Sequence, residues 1–229
     1  MPIFYQPLLA EGTNWLDADE SRHAVHVLRL REGDTIELTD GKGSFCTAFV
    51  EIPDSKKCSF RVIEKIQRPQ RSFQVHLAVA PTKNMDRIEW LIEKAVEIGI
   101  EKITLMQCER SERRNIPLDR IQKIAISALK QSKQAWMPHI KGIVNFKQVL
   151  EEEAVGKFIA FVDENNQQHL KDVIIQKSNY LVLIGPEGDF THTELGWAIE
   201  KGFKKVSLGP NRLRTETAAL AAVHILSLQ

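Results

Sequence analysis

From Val75 onward, short apolar runs alternate with stretches whose apolar residues recur at helical spacing, and this alternation most narrows the folds open to the chain. Val75, Leu77 and Val79 mark a strand. The spacing then predicts a helix over 86–98 that buries Ile88, Leu91, Ile92 and Ala95 and stops at Gly99 in the left-handed conformation. A strand over 103–106 follows, then a helix over 118–130 with Ile121, Ile124, Ala125 and Ala128 on one face. Strands over 158–162, 180–184 and 205–208 complete the series. Such alternation predicts an α/β fold, a mostly parallel sheet flanked by helices.

The preceding residues read differently. Ile36 and Leu38 alternate with polar neighbours, Asp40-Gly41-Lys42-Gly43 is a turn, 45–52 is β-rich, and a turn at 53–55 leads into 58–66. Short strands and tight turns predict a small β-barrel. Ahead of them, 19–30 reads as a helix with Ala24, Val27 and Leu28 on one side and Arg22, His23, His26, Arg29 and Arg31 at the surface. The polar, proline-broken segment 67–72 is the natural boundary, giving domains 1–70 and 71–229.

Composition sets limits. The 229 residues carry 31 basic and 30 acidic side chains, so a nucleic-acid partner must be met by local patches rather than an overall basic field. Cys46, Cys58 and Cys108 show no C-x-x-C pairing, and the seven histidines show neither H-x-x-x-H nor H-E-x-x-H spacing, so no metal centre is expected. No run approaches the roughly 18 apolar residues of a membrane span, and a cytoplasmic protein is expected. Trp90 and Trp136 read as packing residues.

Two loops share one design: Leu183-Ile184-Gly185-Pro186-Glu187-Gly188-Asp189-Phe190, and Leu208-Gly209-Pro210-Asn211-Arg212-Leu213-Arg214-Thr215-Glu216-Thr217-Ala218. Each is an apolar run, a Gly-Pro break and a helix start. On strands of one parallel sheet, both would lie at the carboxyl edge, where ligands of such folds bind. Thr191 with Glu194 forms a capping-box pattern after the first loop. Glu187 and Asp189 disfavour polyphosphate and suit a ligand offering hydroxyls, an amine or a positive centre. Read alone, the same residues also serve as tight strand-to-helix connections. The final helix is apolar almost all round, so it must be covered on most sides, in a core or against another subunit.

Gly185-Pro186-Glu187-Gly188, Leu208-Gly209 and Leu213-Arg214-Thr215-Glu216-Thr217-Ala218 resemble the S-adenosylmethionine site of the SPOUT methyltransferases, in particular the RsmE family. Further matches run in family order: H-x-x-x-V-L-R at His23 to Arg29, Gly33-Asp34, Asp40-Gly41-Lys42-Gly43, Lys83 with Asp86-Arg87, Glu93 to Gly99, Glu109-Arg110-Ser111, and Gln131-Ser132 before Pro138. Two positions depart from the family pattern: Asp189 stands where a glycine is common, and Arg212 where isoleucine is common.

The resemblance implies a PUA-like RNA-binding barrel over 1–70 and a SPOUT domain over 71–229 ending in a trefoil knot. A knot is something general rules of chain topology would not propose. It implies homodimerisation through the knotted domain, so a charge at Ala222 is expected to break the dimer. It also implies methylation of N3 of a uridine in 16S ribosomal RNA of the small subunit, with S-adenosylmethionine as cofactor. The cofactor residues implied are Val162, Asp163 and Glu164, then Ile184, Gly185, Pro186, Glu187 and Gly188, and finally Leu208, Gly209, Leu213, Arg214, Thr217 and Ala218. Arg214 and Glu216, with Arg110 third, are the catalytic candidates, because a neutral uracil N3 needs proton removal and stabilisation of the developing anion. The alternative role for Glu216 is a helix cap, with Arg214 as its ion-pair partner. RNA contacts are expected from Arg22, Arg29, Arg31, Arg110, Arg113, Arg114, Lys130 and Lys133. The competing function is a non-catalytic RNA-binding or ribosome assembly factor on the same fold. An ordinary Rossmann enzyme would need a glycine fingerprint that this chain lacks.

Overall fold

The apolar runs of the later sequence become the strands of one sheet. In the computed structural model, which describes residues 1–163 and 168–229, the strands β5 (Val75–Val79), β6 (Lys102–Gln107), β7 (His139–Asn145), β8 (Gly156–Ala160), β9 (Tyr180–Ile184) and β10 (Lys204–Val206) are all parallel. Their order is β10-β8-β9-β5-β6-β7. Both central strands are buried along their whole length, as a sheet covered on two faces requires. Leu181 and Leu183 join Phe146, Val149, Leu150, Ala198 and Phe203 in one core layer. Those residues come from α4 (Phe146–Leu150) and α5 (His192–Glu200) and from the chain that follows α5. On the other face α6 (Thr215–Ser227) packs on β5, β9 and α2 (Met85–Ile98).

The helix α2 starts where Asn84 accepts from the Asp86 N–H at 2.8 Å, and it ends at Gly99 with φ 88°. Its expected face, Ile88, Leu91, Ile92 and Ala95, is fully buried, whereas Trp90, expected to pack, is 44% exposed. In α6, Ala219, Ala222, Val223 and Leu226 are buried within the chain. A charge at Ala222 would therefore also break this core, so loss of a dimer on that substitution would not by itself report on a subunit interface.

The chain divides into two units, Met1–Gln70 with Ile126–Met137, and Arg71–Ala125 with Pro138–Gln229. The last turns of α3 (Leu118–Gln131) thus belong with the first unit. That unit has a sheet in the order β1 (Ile3–Tyr5), β2 (Thr35–Thr39), β3 (Ser44–Ile52), β4 (Ser59–Gln67). The register sets Ile36 opposite Ala48 and Leu38 opposite Cys46, and these four share a core with Phe4, Val50 and Phe60. Residues 14–16 extend the pairing, since Leu16 N donates to Cys58 O and Phe60 N to Asn14 O, both at 2.8 Å. A Cβ added at Gly43, φ 101°, would lie 2.5 Å from the Trp136 ring, so glycine is needed for both conformation and contact. Trp136 packs there and donates from Nε1 to Arg68 O at 3.1 Å.

One helix differs from expectation. Only Ala18–Arg22 (α1), capped by Asp17, is α-helical, and His23–Val27 continues as a π-turn. The wider turn breaks the 3.6-residue period on which a common apolar face depends. Ala24 stays buried, while Val27 and Leu28 turn outward at 66% and 39% exposure. Arg29, at φ 56°, ends the segment.

Candidate functional site

The carboxyl ends of β8, β9 and β10 lie side by side in the sheet, and the segments leaving them surround a cavity of about 760 Å³. Its walls include Phe161, Val162 and Asp163 after β8, Ile184 at the end of β9 with Gly185, Pro186, Glu187 and Asp189 beyond it, and Ser207 to Thr215 after β10. Glu216 and Ala218 of α6, Arg87 of α2 and His169 complete the part used below. The two Gly-Pro loops therefore wall one space, and a hydrogen bond of 3.1 Å from Thr215 Oγ1 to Gly185 O joins them directly.

Each wall is fixed locally. In the first, Asp189 N donates to Pro186 O at 2.9 Å, closing a turn, and Asp189 takes φ 59°. The capping box forms as expected: Glu194 N donates to Thr191 Oγ1 at 3.2 Å, and Thr191 N donates to Glu194 Oε2 at 2.9 Å. Phe190, 1% exposed, anchors the loop in the core against Phe146. In the second wall, the Ser207 hydroxyl binds the Gly209 backbone, and Gly209 takes φ 133°.

Glu216 is the least ordinary group in the cavity. Its side chain is 8% exposed, with Oε1 3.7 Å from Arg87 Nε, and its buried Oε2 has no hydrogen-bond partner among the described residues. A buried carboxylate oxygen without a partner is costly and marks a place where a ligand group can donate. Asp189 differs: Oδ2 accepts from Val162 N at 3.0 Å and Oδ1 from its own neighbour Phe190 N at 2.8 Å. Burial raises its pKa, opposed by those two N–H groups and by the charges of Arg212 and Arg110. Asp163 pairs with Lys205 at 2.6 Å.

A family model described as an RNA methyltransferase domain matches residues 69–227, and one described as an RNA methyltransferase PUA domain matches residues 16–63. The Rickettsia conorii protein named ribosomal RNA small subunit methyltransferase E is 30% identical over 228 residues, 96% of this chain and 92% of its own length. This chain belongs to the ribosomal RNA small subunit methyltransferase E family. Within the methyltransferase E family, the crystal structure from Neisseria gonorrhoeae, bound to S-adenosyl methionine, is 30% identical with a TM-score of 0.88, covering 100% of this chain and 97% of that one. The crystal structure of a probable rRNA-methyltransferase from Porphyromonas gingivalis is 40% identical with a TM-score of 0.93, covering 100% and 99%.

Against the expected cofactor set of this methyltransferase, Val162, Asp163, Ile184, Gly185, Pro186, Glu187, Leu208, Gly209, Leu213, Arg214 and Ala218 line the cavity. Gly188 and Thr217 lie off its lining, and Glu164 is outside the described residues. Of the catalytic candidates, Arg214 and Glu216 line it. Arg110 does not, and instead donates from Nη1 to Gly188 O at 2.7 Å, bracing the loop. The expected alternative of an Arg214–Glu216 pair is not formed: the cation beside Glu216 is Arg87.

The expected RNA contacts fall into two kinds. Arg29, Arg31 and Arg114 are exposed, and Arg22 is exposed while pairing with Asp19 one helical turn away. Arg113 donates to the carbonyls of Thr82 and Lys83. Lys130 Nζ is 2.6 Å from Glu20 and Lys133 Nζ 2.8 Å from Glu37, so both lysines are engaged inside the first unit. Sequence reasoning passed over Arg87, His169 and Ser207 as cavity residues. Periodicity assigns the buried face of α2 and is silent about a polar residue in its first turn. Among the described residues no three His, Cys, Asp or Glu side chains gather as a metal site, and no helix is long and apolar enough to cross a membrane.

Proposed function

We propose that this methyltransferase uses S-adenosylmethionine to methylate N3 of a uridine in 16S ribosomal RNA, with residues 1–70 as the RNA-binding PUA-like unit and 71–229 as the catalytic one. The observation that carries the reading is the buried Oε2 of Glu216, without a hydrogen-bond partner among the described residues, in a cavity walled by both Gly-Pro loops. The cavity suits this cofactor: its volume is in the range of drug-sized ligands, Ile184, Leu208 and Leu213 offer an apolar bed, and the Glu216 carboxylate offers an acceptor and negative charge toward a cationic ligand. The cofactor supplies an electrophilic methyl group.

The protein's part is placement and charge. Two walls tied by Thr215 hold the reacting groups in line, and such positioning supplies much of a displacement's rate. Arg214, exposed at the start of α6, is placed to stabilise negative charge developing on a uracil oxygen as the N3 proton leaves. Glu216 Oε2 provides an acceptor within the same first turn. Arg110 acts at one remove, through Gly188 O. The base must first be turned out of its stack, and Arg29 and Arg31 are the exposed cations of the first unit placed to hold the backbone.

The proposal extends to a homodimer through the second unit, in the cytoplasm where small-subunit RNA is made and used, and to a knotted chain end. Support for the knot comes from the hydrogen bonds Ser207 N to Gln168 O and Leu170 N to Ser207 O, which lay the chain after β10 alongside residues 168–170. Mass spectrometry of ribosomal RNA from a strain lacking this protein should find one uridine methyl missing from the small subunit. Unchanged modification there overturns the substrate, absence of S-adenosylmethionine binding in calorimetry overturns the enzyme reading in favour of an assembly factor, and a monomer in light scattering overturns the dimer.

A further inference from the structure

The strands β8 and β9 are paired up to Ala160 opposite Ile184, and beyond that point their chains part. The cavity opens at the parting, with residues 161–163 on one side and 185–189 on the other. Phe161 N turns away from β9 to reach Val206 O at 3.3 Å. Val162 is left with an N–H on the β9 side and no strand to receive it. Asp189 receives it: the carboxylate spans the gap to Val162 N with Oδ2 while Oδ1 holds Phe190 N, whose side chain is anchored in the core. The same carboxylate lies against Gly185, where an added Cβ would sit 3.3 Å from Oδ1.

From this geometry we infer that Asp189 is a positioning residue for cofactor capture, clasping the two diverging walls of the cavity into one rigid wall. The inference rests on the cofactor reading above. Asp189 adopts φ 59°, which asparagine, aspartate and above all glycine tolerate. Glycine at this position would keep the backbone conformation and lose the clasp. That separation makes the role testable. If Asp189 merely fills a left-handed position, Asp189→Gly costs nothing and only Asp189→Ala, strained at this φ, is harmed. If the carboxylate is the clasp, both variants lose it, and Asp189→Asn, which keeps one acceptor oxygen and the backbone tolerance, retains part of it.

The test pairs two measurements on the full-length protein. Amide hydrogen exchange without cofactor should show Val162 protected in the unaltered protein and at least tenfold faster in Asp189→Gly. In methylation assays KM for S-adenosylmethionine should rise about tenfold in Asp189→Gly and Asp189→Ala and less in Asp189→Asn, with kcat falling less than KM rises. Unchanged Val162 exchange, or a KM for Asp189→Gly equal to that of the unaltered protein, overturns the clasp. Failure of the unaltered protein to bind S-adenosylmethionine overturns the cofactor reading instead, while the exchange result still decides whether Asp189 joins the walls.

Discussion

Arg214 and Glu216, two residues apart, occupy opposite situations: the guanidinium is exposed and makes no hydrogen bond or ion pair among the described residues, while the carboxylate is buried beside Arg87. Changing them should therefore give different signatures. Arg214→Ala removes nothing that holds the fold, so its melting temperature should stay within about 2 °C while kcat falls on the order of 100-fold, the size of losing one transition-state donor. Full activity would reassign the residue to the surface. Glu216→Gln keeps the shape and removes the charge, and should weaken S-adenosylmethionine binding about tenfold more than binding of the demethylated product, which lacks the positive sulfur. Equal loss for both ligands counts against an electrostatic role.

Among elements, β5 carries an acid-sensitive part of the sheet. His76 is 8% exposed, with Nε2 2.8 Å from Thr104 Oγ1 of β6, and its pKa is pushed down from 6.5 to about 3, by burial first and then by Lys102. The unfolded chain then binds a proton that the folded one refuses between about pH 3 and 6.5. Stability contributed here is full above pH 6.5 and lost as pH falls, by up to about 1.4 kcal/mol per pH unit. Urea unfolding from pH 4.5 to 7 should show that slope, and His76→Asn should flatten it; an unaltered slope in the variant removes His76 as its source. The same strand shows what was legible beforehand. Uninterrupted apolar runs such as β5 and β9 and amphipathic helices such as α2 and α3 announce themselves. The edge strand β7, His-Ile-Lys-Gly-Ile-Val-Asn, was missed because an exposed edge needs neither an apolar run nor alternation, and β1 and α4 were missed as too short to show a period. The helix over 19–30 was overdrawn because a π-turn is invisible to a 3.6-residue rule. The loops at the site were legible from Gly-Pro punctuation. Arg87 was not, since its place beside Glu216 exists only once α2 and α6 pack together.

On the scale of the whole molecule, the basic residues divide into those that build the fold and those free to meet RNA. Lys130 neutralises Glu20, whose side chain is 10% exposed and whose Oε2 has no hydrogen-bond partner among the described residues, so Lys130→Ala should lower the stability of the first unit by about 1–3 kcal/mol. Arg29→Ala with Arg31→Ala should leave the melting curve unchanged and reduce the salt dependence of RNA binding by about two phosphate contacts. A stable Lys130→Ala protein with weakened RNA binding reverses the assignment. The bond from Thr215 to Gly185 has a different kind of consequence, one of timing. Residues 207–216 and Ala218 form one wall of the cavity and are made only after the last strand of the sheet, Lys204–Val206. A nascent chain halted before Ser207 would hold every strand of both sheets and still lack the second wall of the site for its methyl donor, so cofactor occupancy reports that the last residues are in place.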